Sequence, residues 1–202
     1  MRLAPDNDRA HYWLSYVLSC EGKYDEALAE AQEAVRCNPG NGWYHYQLAW
    51  TLHTLRRYAE AESAARKAVE LSPGTPEFRL VLGRALFAQG SDKAALAEFR
   101  QAVGLDPDNV DALAYSAAAC NALGLLDEAY AAAHKGLDLS PSDSWLWDLL
   151  AHAAYGLGKW GEAADAWAKV LELDPTFYDT PLLGCDKDKE LLEDAREKAG
   201  RI

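Results

Sequence analysis

Cysteine and histidine are the side chains most able to hold a metal or attack a substrate, and their spacing here supports neither role. Cys20, Cys37, Cys120 and Cys185 stand 17, 83 and 65 residues apart, with no C-x-x-C pair. They read as reduced thiols rather than as zinc ligands or a disulfide framework. His11, His45, His53, His134 and His152 never fall three or four residues apart, the spacing that would put two ligands on one helix face. The sequence has no glycine-rich phosphate loop, no H-E-x-x-H, no G-x-S-x-G and no EF-hand loop. No catalytic residue, metal or cofactor is therefore expected, and the charged residues read as helix surface and helix ends. The notable remaining residues are aromatic, 7 Trp and 10 Tyr. Rings of this kind suit non-covalent recognition, because they offer large contact area with little rotamer freedom to lose.

Charge and hydropathy narrow the partners. With 20 Lys and Arg against 32 Asp and Glu, the 202-residue chain carries −12. That sign disfavours nucleic-acid backbones and anionic membrane surfaces. No apolar run approaches the ~18 residues that span a bilayer, and Met1-Arg2-Leu3-Ala4-Pro5-Asp6 lacks an apolar leader core. A cytoplasmic protein without direct membrane insertion is expected. Half of the residues are apolar and 26% are charged, a composition able to bury a sizeable core.

The elements that position the rings follow from a repeat. Pro5, Pro39, Pro73, Pro107, Pro141 and Pro175 lie 34 residues apart. Placing each proline at position 32 divides the chain into frames 8–41, 42–75, 76–109, 110–143 and 144–177. Position 20 is then Ala27, Ala61, Ala95, Ala129 and Ala163 without exception. Position 15 is Gly22, Arg56, Gly90, Gly124 and Gly158. Each frame predicts two antiparallel helices. The first carries an apolar i, i+4 stripe at positions 7 and 11, as in Leu14/Leu18, Leu48/Leu52 and Leu82/Leu86. Glycine at 15 supplies the left-handed residue that ends it. Acidic residues at 18 and 19 complement the start of the second helix, which proline closes. Alanine at 20 suits the closest approach of the two backbones.

A 34-residue helix–turn–helix unit with Leu at 7, a small residue at 8, Ala at 20 and Pro at 32 resembles the tetratricopeptide repeat (TPR). The resemblance covers residues 8–177 and implies an all-α, right-handed α-solenoid of five helix–turn–helix repeats. Departures stand at position 4 (His11, His45, Arg79, Leu113, with only Trp147 conforming) and at position 24, where Phe99 and Trp167 are the bulky exceptions. Frame 4 has Ser116, Cys120 and Gly136 at core positions and is expected to pack most weakly and to open first.

The resemblance also implies a function: TPR arrays hold peptides on the inner face of their first helices, through positions 2, 5, 9, 12 and 13. Here that row contains Tyr12, Tyr16, Trp43, Tyr46, Trp50, His53, Arg84 and Phe87, which are the candidate peptide-binding residues. These rings either line a concave groove or fill gaps between neighbouring first helices. Arg84 either holds a partner carboxylate or is simply solvated. Asp111 and Asp148 make the later part of the row acidic. The carboxylate clamp of chaperone-tail adaptors is absent, since its places hold Tyr12, Tyr16, Gln47, Glu77 and Val81. The asparagine row of backbone-gripping arrays is absent too, since position 6 holds Trp13, Gln47, Val81, Tyr115 and Leu149.

At the ends, residues 1–7 read as the remnant of a preceding repeat, or as the trace of a longer array. Residues 178–202 read as an irregular link followed by an amphipathic capping helix over Glu190–Ala199, with Leu191, Leu192, Ala195 and Ala199 on one side. The function expected is a non-enzymatic scaffold binding a protein or peptide partner. The alternatives are an assembly protein that self-associates into a homo-oligomer through its N-terminal end (Leu3, Trp13, Val17), or a regulatory fragment of a larger enzyme.

Overall fold

The computed structural model describes residues 7–177 and 185–200, with side chains from 190 onward in the second stretch. Among the described residues there are eleven α-helices and no strand. They are α1 (Asp8–Cys20), α2 (Tyr24–Cys37), α3 (Gly42–Thr54), α4 (Tyr58–Leu71), α5 (Pro76–Ala88), α6 (Asp92–Leu105), α7 (Val110–Ala122), α8 (Leu126–Leu139), α9 (Ser144–Gly156), α10 (Trp160–Leu173) and α11 (Cys185–Lys198). In all five frames the helices occupy the same places, positions 1–13 and 17–30. Two compact units result, Met1–Pro107 and Asp108–Ile202. In the first, α1, α3 and α5 neighbour one another, each paired with its following helix. In the second, α7 and α9 pair with α8 and α10, and α11 packs on α10.

The turns repeat because their chemistry repeats. Gly22, Gly90, Gly124 and Gly158 have φ between 71° and 75°. Across each, the next amide reaches back five residues, as in Lys23 to Leu18 at 2.9 Å, Ser91 to Leu86 at 3.0 Å and Lys159 to Ala154 at 2.9 Å. This satisfies a carbonyl that the ending helix would otherwise leave open. Arg56 makes the same turn at φ 59° with a side chain present. A left-handed residue with a Cβ is strained by about 1–2 kcal/mol, partly offset because glycine has more freedom to lose. Arg56→Gly is therefore expected to stabilise the chain by about 0.5–1 kcal/mol in urea unfolding; a loss of stability would contradict the strain. At the other end of each hairpin, the residue before proline is extended, as at Asn38 (φ −145°, ψ 83°) and Ser72 (φ −147°, ψ 82°), as proline's ring requires. Asn7, Asn41, Asn109 and Asp143 then cap the first helix of a hairpin with a side-chain oxygen. Thr75 instead precedes Pro76, which has no amide to cap.

Position 20 is 0% exposed in every frame. Its carbonyl in frame 1, that of Ala27, accepts the Ser15 hydroxyl at 2.8 Å, so position 8 of the first helix lies against position 20 of the second. Three of the varied residues at position 4 share one task. His45 Nε2 donates to the Pro39 carbonyl at 2.9 Å, Arg79 Nε to that of Pro73 at 3.3 Å, and Trp147 Nε1 to that of Pro141 at 2.8 Å. A ring or guanidinium N–H of sufficient reach can replace tryptophan in tying the first helix to the preceding proline.

Frame 4 buries its small core residues. Ser116 and Cys120 are 6% and 2% exposed. A Cβ on Gly136 would lie 2.8 Å from a Leu146 methyl, so the larger neighbour already fills the space glycine leaves. The capping helix is present and begins earlier than expected, at Cys185, with Leu192 and Ala195 buried. The expectations for Leu3 and for the link over 178–184 fall outside the described residues.

Candidate peptide-binding groove

Four of the candidate rings meet around one cavity. Tyr12 and Tyr16 from α1 and Tyr46 and Trp50 from α3 line a cavity of about 250 Å³, together with Ser19, Cys20 and Gln47. The i, i+4 spacing within each helix puts both of its rings on the same side. Tyr16 is 48% exposed, while Tyr12, Tyr46 and Trp50 are half-buried. Tyr12 leans on Tyr44, centroids 5.4 Å apart, and Trp50 faces Tyr24 at 6.4 Å. Burial, and secondarily Tyr16, raise the Tyr12 phenol above its ordinary value.

The wall between the helices is polar. Gln47, 3% exposed, donates through Nε2 to Ser15 Oγ at 3.3 Å and to Ser19 Oγ at 3.2 Å. Ser15 spends its own hydrogen on the Ala27 carbonyl, so it must accept from Gln47, and this fixes which end of the amide faces α1. Nothing in the sequence singled out Gln47 as part of a site. Its signal was a polar residue in a column otherwise holding Trp13, Val81, Tyr115 and Leu149.

The other candidates divide. Trp43, 44% exposed, lies against Phe78 and Tyr46, centroids 4.9 and 5.5 Å away. It borders a separate hollow of about 410 Å³ with Arg9, Tyr12, Trp13, Asn41 and Tyr44. His53 of α3 and Arg84 of α5 lie beside each other and line neither hollow. Phe87 is half-buried and turns its ring toward Phe99 on α6, 6.4 Å away. Trp13 and Val17, expected at an open surface, are 55% and 48% exposed. A further depression, about 580 Å³ between α2, α3 and α4, involves none of the candidate rings. Its rim charges are paired, Arg66 with Glu62 at 2.7 Å and Lys67 with Glu70 at 3.0 Å.

In the second unit the corresponding row is engaged with its own core. Asp148 Oδ1 accepts the Trp167 indole N–H at 3.2 Å. The Tyr155 hydroxyl donates to Asp194 of α11, a carboxylate held below its usual range by Lys198 and then by Tyr155. Trp145 meets Tyr115 edge-on at 4.9 Å. Among the described residues no group of three or more His, Cys, Asp or Glu is placed to hold a metal ion, and no helix is long and apolar enough to cross a membrane.

Burial pushes the His53 imidazole down to about 4, and the Arg84 charge adds to the effect. The unfolded chain therefore takes up this proton first as pH falls. The stability tied to neutral His53 is whole above about 6.5 and is lost on the way down to about 4. Allowing for partial exposure, about 1 kcal/mol should go between roughly pH 7 and roughly pH 5. Melting curves at both pH values should show this extra loss in the wild type and not in His53→Gln; equal losses would mean that the ring is not held neutral.

Stacked pairs of antiparallel helices on a 34-residue period define a helical-hairpin repeat protein. Family models of the tetratricopeptide repeat match residues 8–41, 46–109, 93–144 and 144–177, and the chain belongs to that family. Solved structures with the same fold include PilW, a type IV pilus biogenesis factor, with TM-score 0.80 and 18% identity over 98% of this chain and 88% of that one. MamA gives TM-score 0.72 and 21% identity over 89% and 98%. YrrB, described as a TPR protein with an unusual peptide-binding site, gives 0.69 and 18% over 93% and 90%. A search of curated protein sequences finds no significant match.

Proposed function

We propose that this protein-interaction scaffold holds an extended or helical peptide segment of a partner against the aromatic face of α1 and α3, without catalysing a reaction on it. The observation that carries the reading is the cavity of about 250 Å³ shared by Tyr12, Tyr16, Tyr46 and Trp50. Two consecutive repeats supply its rings, so a ligand seated there reads the repeat stack rather than one helix. Half-exposed rings still have area to bury, worth about 1–2 kcal/mol for each ring that a ligand covers. Trp43 extends the surface toward Phe78 of α5. YrrB's peptide-binding site supports the reading by analogy of fold.

Peptides selected from a phage-displayed random library on the full chain provide the test. A Trp43→Ala/Trp50→Ala double variant with unchanged helical circular dichroism should bind them at least tenfold more weakly, about 1.4 kcal/mol. Unchanged affinity would remove the groove from this face.

A further inference from the structure

We infer that the α1–α3 cavity is an aromatic cage for a cationic side chain, so that the partner segment anchors itself there by a lysine, methylated lysine or arginine. This rests on the groove reading and adds the chemistry of its anchor. Four of the seven residues lining the cavity are Tyr12, Tyr16, Tyr46 and Trp50, and none of the seven is charged. Aromatic faces are the negative pole of the ring quadrupole, and rings grouped around a hollow attract an ammonium or guanidinium group strongly once water is displaced.

The remaining lining points to the same ligand. Both hydrogens of the Gln47 amide are directed to α1, on Ser15 and Ser19. What this 3% exposed side chain has left for the cavity is therefore its carbonyl oxygen, an acceptor. A purely apolar anchor would cover that oxygen and leave it without a partner. An ammonium donor answers it. At long range the −12 charge of the chain favours a cation over an anion. The volume, about 250 Å³, accommodates the end of one long side chain.

Four blocked amino acids serve as probes: N-acetyl methylamides of lysine, trimethyllysine, arginine and the neutral tert-butyl isostere of trimethyllysine. Binding to the full chain is followed by the chemical shift of the Trp50 indole N–H, assigned with Trp50→Phe. At least one cationic probe should bind fivefold or more tightly than the neutral isostere. Tyr16→Leu should cut that preference at least threefold while the isostere still binds. Tyr16 is 48% exposed, so this variant tests the cage without emptying the core. Equal binding of isostere and cations would make the cavity an apolar socket and overturn the cage, as would the absence of any shift. Library peptides that depend on Trp43 and Trp50 but carry no required basic residue would leave the groove standing and the cage refuted.

Discussion

A Gly83→Ala variant should lose about 3 kcal/mol of stability in urea unfolding, although alanine is the better helix former by about 1 kcal/mol. A Cβ at Gly83 would lie 2.4 Å from Cε1 and 2.6 Å from Cδ1 of Phe99. The phenyl ring is 0% exposed, enclosed by α5 and α6, with no low-cost route aside. The pair is positions 8 and 24 of one hairpin. Frames 2 and 4 fill the same places with Ala49/Ala65 and Ala117/Ala133, all 0% exposed. Frame 3 has exchanged that even division of space for nothing on one helix and a ring on the other. Phe99→Ala alone should cost about 4 kcal/mol through its cavity. Gly83→Ala/Phe99→Ala restores the alanine pair of the neighbouring frames, so it should cost clearly less than the sum of the single variants, by about 2–3 kcal/mol. Additive losses would show that the ring and the glycine are not coupled.

That compensation marks the boundary of what the sequence discloses about the fold. The proline ruler, alanine at 20 and glycine at 15 each act through the backbone: a closed helix, a close approach, a left-handed turn. Backbone requirements recur with the period, so the helices fall at positions 1–13 and 17–30 in every frame. Requirements met between side chains can be exchanged. Position 4 looked irregular as His45, Arg79 and Trp147, yet all three donate to a proline carbonyl. Gly136 looked like a weakness and is filled by Leu146. Partners lying 6 to 16 residues away cannot be paired from spacing alone.

The candidate site divides in the same way. Tyr12, Tyr16, Tyr46 and Trp50 were legible because one helical row put them on one face, and they do line one cavity. Phe87 shared the row, but the large Phe99 ring on α6 draws it into a packing contact. Trp43 stands apart because Phe78, seated against Gly42, holds it from the other side. The place of Gln47 in the cavity is not legible from spacing because it depends on Ser15 and Ser19 of the preceding repeat, and on Ser15 already being committed to Ala27.

The second large effect lies in the second unit. Trp167→Ala should cost about 4 kcal/mol. Trp167 is 0% exposed and among the largest fully buried side chains. Truncation removes its packing against His152 and Tyr155, centroids 5.4 and 5.7 Å away. It also removes the indole donor to Asp148, whose side chain is only 14% exposed. Trp167→Phe keeps a ring and loses the donor, so it should fall about midway, about 2 kcal/mol. The consequence should reach α11. Tyr155 rests on the indole while its hydroxyl holds Asp194, and Lys198 lies over the Tyr155 and Trp160 rings at 5.1 and 4.7 Å. Amide exchange over 190–198 should therefore quicken in Trp167→Ala relative to α7, where none of these contacts is made. If α11 exchange keeps pace with α7 while global stability falls, Trp167 supports only the α9–α10 pair. The cap is then held without it, by the buried Leu192 and Ala195 and by Lys198 on the Trp160 ring.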